Sequence, residues 1–112
     1  MNQILERSLF QKVEKLESFE DRLKVRLENI SIRIMYEASL TIFLEVHPVK
    51  GTNIEESVDI QCVIYDTDGA ILRNESHRIY DDNFFGLEVV TFLILNINLD
   101  DIGKIRIYPK KC

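Results

Sequence analysis

Residues Ser57–Ile79 read SVDIQCVIYDTDGAILRNESHRI and constrain the fold more than any other segment of this 112-residue chain. Val58, Ile60, Cys62 and Ile64 fall two apart, so they share one face of a strand. Asp66-Thr67-Asp68-Gly69 follows, and Gly69 can take the positive φ that a tight hairpin with a bulge requires. A second strand then runs from Ala70 to Tyr80. An antiparallel β module follows from this, and most of the chain repeats its pattern.

The period is two from Leu23 onward. Leu23, Val25 and Leu27 form one set, and Ile30, Ile32 and Ile34 another that is out of phase by one residue. Glu28-Asn29 is therefore expected to hold a bulge or turn that resets the inward face. Leu40, Ile42, Leu44 and Val46 predict the next strand, ended by a loop at His47–Asn53 because Pro48 cannot donate to a ladder. Asp81-Asp82-Asn83 reads as a turn. Leu87–Ile97 is nearly continuous apolar, which predicts a central strand covered on both faces. Lys104–Tyr108 alternates again as a closing strand. Six to seven short strands with frequent turns predict a mainly β protein, an antiparallel immunoglobulin-like β-sandwich.

The first segment has a different period. Leu5, Leu9, Val13, Leu16 and Leu23 recur at steps of about three to four, flanked by Phe10 and Phe19. One amphipathic helix over about Asn2–Phe19 is expected. The organisation is thus a helical arm over residues 1–22 and a β-sandwich domain over 23–112. The helix stripe, Leu5, Leu9 and Leu16, reads as packing against the sandwich or against a copy of itself. It does not read as a membrane anchor, because its polar face is not predominantly basic.

Composition narrows the function classes. At 46% hydrophobic and 29% charged the chain has material for one core without a disulfide or metal. Its formal net charge is −5, and residues 29–103 carry four basic side chains against thirteen acidic. An acidic body argues against a nucleic-acid groove, which needs a basic stripe. No run approaches the ~20 apolar residues of a membrane-spanning helix, and the start of the chain lacks the apolar core of a signal peptide. A cytoplasmic location is expected. Cys62 falls on an inward strand face and reads as a small hydrophobe; Cys112 is the last residue.

Candidate chemistry is sparse. Asp66, Asp68, Asp81 and Asp82 lie at turns, and loop carboxylates gathered at one end of a sandwich can bind Ca²⁺. The spacing is not that of an EF-hand, and Asp and Asn in turns are mostly turn formers. His47 and His77 have no ligand-spaced partner, and no serine stands in a nucleophile elbow. No cofactor is implied and no enzyme is expected. Phe84-Phe85-Gly86 is the more informative segment. Two adjacent aromatics on extended backbone cannot both point inward, so one can plug the core while the other serves as a binding anchor, unless Gly86 kinks the chain and lets both pack.

The turn at Cys62-Val63-Ile64-Tyr65-Asp66, followed by Asp68-Gly69, resembles the name-giving motif of the FxLYD-type bacterial and archaeal domain, a small immunoglobulin-like sandwich. Tyr65 and Asp66 match, Ile64 replaces Leu, and Cys62 stands where that family has Phe. The resemblance implies a fold and no mechanism. The functional expectation is a non-enzymatic protein-interaction or assembly module. It would contact a protein partner, or self-associate into a homo-oligomer, through Leu5, Leu9 and Leu16 or through Phe84 and Phe85. The alternative is a C2-like calcium- or lipid-responsive module built on Asp66, Asp68, Asp81 and Asp82.

Overall fold

The computed structural model describes residues 3–112. Seven strands form two sheets that pack face to face as a sandwich. They are β1 (Val13–Lys15), β2 (Val25–Arg33), β3 (Ser39–Pro48), β4 (Val58–Asp66), β5 (Ile71–Ile79), β6 (Glu88–Leu95) and β7 (Ile102–Lys111), with helices α1 (Gln3–Phe10) and α2 (Glu17–Leu23) flanking β1. One sheet has the order β1-β7-β4-β5 and the other β2-β3-β6. The chain makes β2 and β3 as a hairpin, crosses to make β4 and β5, crosses back for β6, and crosses again for β7. The immunoglobulin-like sandwich read from the alternation is the fold observed.

The core is where the two inward faces meet. Leu40, Ile42, Leu44 and Val46 of β3 and Val90, Phe92 and Ile94 of β6 face Val58, Ile60, Cys62 and Ile64 of β4 and Ile105 and Ile107 of β7, all buried. The expected bulge is present: the β2–β3 register shifts between Glu28 and Ser31, and Asn29 takes a φ of 54°. The β4–β5 hairpin is also as read. Gly69 has a φ of 90°, and the Asp66 carboxylate accepts from the backbone N–H groups of Asp68 and Ala70 at 2.9 Å each. That carboxylate is a turn former, since it satisfies the loop's own donors.

Four expectations are corrected. The single helix over Asn2–Phe19 is two short helices with β1 between them; Asn2 itself lies outside the described residues. β1 joins β7 in parallel, Val13 opposite Ile105 and Lys15 opposite Ile107, so the sandwich is not wholly antiparallel. A helix that short is marginal on its own, and tertiary pairing overrides its propensity. The apolar run Leu87–Ile97 makes β6, which is an edge strand rather than a central one. The strand buried on both faces is β4, where Gln61 and Val63 are buried beside the inward Ile60 and Ile64. Finally, β3 runs on through His47 to Pro48, which pairs with Val25.

The N-terminal segment is pinned from several sides. Leu9 is fully buried in the core cluster, and Leu5 and Val13 pack against it. The Glu6 carboxylate accepts from the Ile34 N–H at 2.8 Å. Glu20 of α2 is only 1% exposed; its Oε1 accepts from the Leu27 N–H at 3.0 Å and lies 3.7 Å from the Lys15 ammonium, which itself donates to the Leu27 carbonyl. Phe19 meets Tyr108 of β7 edge to face at 5.3 Å.

At the other end of β7, Gly103 stands where no side chain fits. A Cβ there would lie 2.5 Å from the Asp66 carbonyl oxygen and 2.8 Å from the Thr67 Cα, both backbone atoms. Gly103→Ala is therefore expected to lower stability by about 1–3 kcal/mol, the usual cost of forcing extra volume into a filled site. Urea unfolding measures it, and an unchanged midpoint would contradict the close approach.

Candidate interaction surface

A sandwich of two open sheets has four edges, and each unpaired edge is a template for another strand unless something blunts it. Three of the four are blunted. β1 is only three residues long. β2 carries the bulge at Glu28–Ser31 and the charges Arg26, Glu28 and Arg33. β5 carries Arg73, Glu75 and Arg78. β6, with the sequence EVVTFLIL, has Glu88 alone, and that carboxylate lies 3.3 Å from His77 Nε2 of β5.

The outer face of β6 is apolar as well. Strand alternation sends Val90, Phe92 and Ile94 inward and leaves Val89, Thr91, Leu93 and Leu95 outward. Leu87 is 47%, Val89 57%, Leu93 56% and Leu95 50% exposed. The adjoining β3 places Phe43 opposite Thr91, Thr41 opposite Leu93 and Glu45 opposite Val89, so the apolar strip widens across the sheet only at Phe43. At the far end of β6, Arg73 donates to the carbonyls of Leu95 at 2.8 Å and Asn96 at 2.7 Å. With the His77–Glu88 contact, this ties β6 to β5 at both ends and leaves its middle open.

Phe84 and Phe85 divide as adjacent residues on extended backbone must. Phe84 is 2% exposed and closes the end of the core, whereas Phe85 is 83% exposed. Gly86, at a φ of 89°, turns the chain from this loop into β6, and Phe85 precedes the first residue of the strip, Leu87, by two positions. The sequence thus singled out one member of the surface, Phe85. It missed the strip, although one signal was present: an apolar run broken by an outward Thr91 can be an edge as well as a buried strand.

The other candidates do not come together. Of the helix stripe, Leu9 is fully buried in the chain's own core, and Leu5 and Leu16 are half-buried. Asp66 and Asp68 lie at one end of β5 and Asp81 and Asp82 at the other. Asp66 is spent on its turn, and the Asp81 carboxylate accepts from the Ser57 hydroxyl at 2.8 Å. Among the described residues, no three His, Cys, Asp or Glu side chains are placed to hold a metal ion.

Electrostatics elsewhere is internal pairing. Hydrogen bonds from His47 and Asn29 hold the Glu45 carboxyl below its ordinary range. The Arg78 guanidinium does the same for Asp59, and Arg106 for Glu14. Burial pushes the Cys62 thiol up to about 12, so it is a packing residue and not a nucleophile. A cleft of about 610 Å³ beside the β4–β5 turn is lined by Lys12, Tyr65, Asp66, Lys104 and Arg106. Its cations are largely committed: Lys12 donates to the Ile102 carbonyl at 2.7 Å, and Arg106 pairs with Glu14 at 2.6 Å while lying over the Tyr65 ring.

The fold and this surface define an immunoglobulin-like sandwich with an N-terminal helix-strand-helix segment and one unguarded apolar edge. A solved structure similar to it is the crystal structure of Campylobacter jejuni cj0090, with a TM-score of 0.52 at 16% identity, covering 90% of this chain and 98% of that one. That likeness is one of fold. No family model matches the sequence, and no curated protein matches it. Among the described residues no helix is long and apolar enough to cross a membrane.

Proposed function

We propose that this chain is a non-enzymatic protein-interaction or assembly module whose contact surface is the outer face and free edge of β6 with Phe85. One observation carries the reading. Of four sheet edges, three bear charges, a bulge or too few residues to pair, and β6 alone is long and almost uncharged. An edge of that kind accepts an extended segment, with main-chain hydrogen bonds supplying affinity and side chains on alternate positions supplying specificity. Phe85 gives the strip an aromatic anchor of the type that dominates interface energies.

Selection of displayed random peptides on the folded chain tests this. The expected winners are extended, alternating and apolar, and they lose binding on Val89→Lys and Leu93→Lys. Both positions are more than half exposed, so the fold should tolerate the change within about 0.5 kcal/mol. Peptides whose binding is indifferent to both substitutions, or a monomeric chain that selects none, would sink the reading.

A further inference from the structure

We infer that the occupant of this surface is a second copy of the chain, paired antiparallel along β6 about a two-fold axis through Thr91. This rests on the reading of β6 as the contact surface and specifies its partner.

The strand is complementary to itself in one register. Residues directly opposite each other in a sheet share a face, so an antiparallel copy must match outward residues with outward ones. With Thr91 opposite the partner's Thr91, Val89 meets the partner's Leu93 and Leu87 meets the partner's Leu95. Every outward pair is then apolar on apolar or hydroxyl on hydroxyl. On the inward side Val90 meets the partner's Phe92, and at the two ends Glu88 meets the partner's Ile94. Sliding the copy by two residues in either direction sets Thr91 against an apolar side chain and leaves an end of the strip uncovered.

Charge favours the same partner. β6 has no charge in its middle, so it offers nothing to a charged peptide. Two acidic copies, each at −5, meet there without like charges in contact. In the symmetric register the two Glu88 carboxylates are six residues apart along the strand, about 20 Å, beyond the ~8 Å screening length at physiological salt. Each is already occupied by its own His77.

A stable dimer buries about 800 Å² per partner. The strip from Phe85 to Leu95 has the length of the whole strand and forms the apolar centre of such an interface. The neighbouring residues of β3 and β5 supply its polar rim. Pairing also covers the open middle of this edge, between the ends held by Arg73 and His77, by making a continuous sheet in the order β2-β3-β6, then β6-β3-β2 of the partner.

The test combines solution mass with cross-linking, both on the full chain. By light scattering at about 100 μM, twice the chain mass is expected. Thr91→Lys, which sets two ammonium groups opposite each other, should shift the dimer–monomer midpoint at least about tenfold. In a Cys112→Ser background, Thr91→Cys should oxidise to a covalent dimer, since directly opposite residues bring their Cβ atoms close to disulfide range. Ser76→Cys, on the neighbouring β5, should not. A dimer that ignores Thr91→Lys, or that cross-links at position 76 and not at 91, overturns the symmetric pairing. A monomer that still binds apolar peptides at β6 overturns self-pairing and leaves the interaction reading standing. A monomer that binds none overturns both.

Discussion

Phe84→Ala is expected to lower the unfolding free energy by about 3–5 kcal/mol, whereas Phe85→Ala should leave it within about 0.5 kcal/mol. The neighbours differ only in direction. Phe84 is among the largest fully enclosed side chains of the core and sits where the chain leaves the Asp81–Asn83 turn for β6. Removing its ring deletes buried area and leaves a cavity that the surrounding strands, hydrogen-bonded in place, cannot collapse to fill. Phe85 loses contact mainly with water. Denaturant midpoints of the two variants decide the matter. Equal losses would show that both rings pack, and the surface assigned around Phe85 would shrink to the strand itself. If Phe84→Ala is too unstable to purify, Phe84→Leu is the milder version, with the same ordering expected.

Leu9→Ala should cost about 2–5 kcal/mol, as much as a substitution in the middle of a sheet. A side chain on a detachable helical arm would cost almost nothing. Leu9 is fully buried, and the segment around it is held by the Glu6–Ile34 bond, the β1–β7 pairing and the Glu20–Leu27 bond. Its loss should therefore appear in global unfolding, in one cooperative transition read equally by far-UV dichroism and by tyrosine fluorescence. A separate early transition, or a loss below about 1 kcal/mol, would mean that the N-terminal segment folds as an appendage.

The legible parts of this molecule were those with a clean period. Leu40–Val46 of β3, Val58–Ile64 of β4 and Ile105–Ile107 of β7 place an inward apolar residue at every second position, and the phase slip at Glu28-Asn29 appears in the structure as a register shift with Asn29 at positive φ. The N-terminal segment misled because Leu5, Leu9 and Val13 keep a helical spacing while Val13 belongs to a strand three residues long. Pairing with Ile105–Ile107 decides its state, and no local pattern records a partner some ninety positions away. The surface was hidden for another reason. A strand covered on both sides and an edge strand with an apolar outer face have the same composition, and only the position of β6 in its sheet separates them. For Phe84-Phe85, adjacency implied opposite directions, but which ring faced inward depended on the turn before and the glycine after.

The parallel pairing of β1 with β7 also sets a schedule. Glu14 and Arg106, joined in that pairing, are 92 positions apart, and β7 is the central neighbour of both β1 and β4. As the chain leaves the ribosome, β2, β3 and the β4–β5 hairpin can form in turn from local contacts. The first sheet cannot close until β7 has emerged, so β1 waits unpaired and one edge of β4 stays without its neighbour until then. Folding is thus gated by a strand made some ninety residues after the β1 it pairs with. Substitutions that weaken Ile105 or Ile107 should prolong the interval in which the apolar faces of β4 and β6 are both open to other chains.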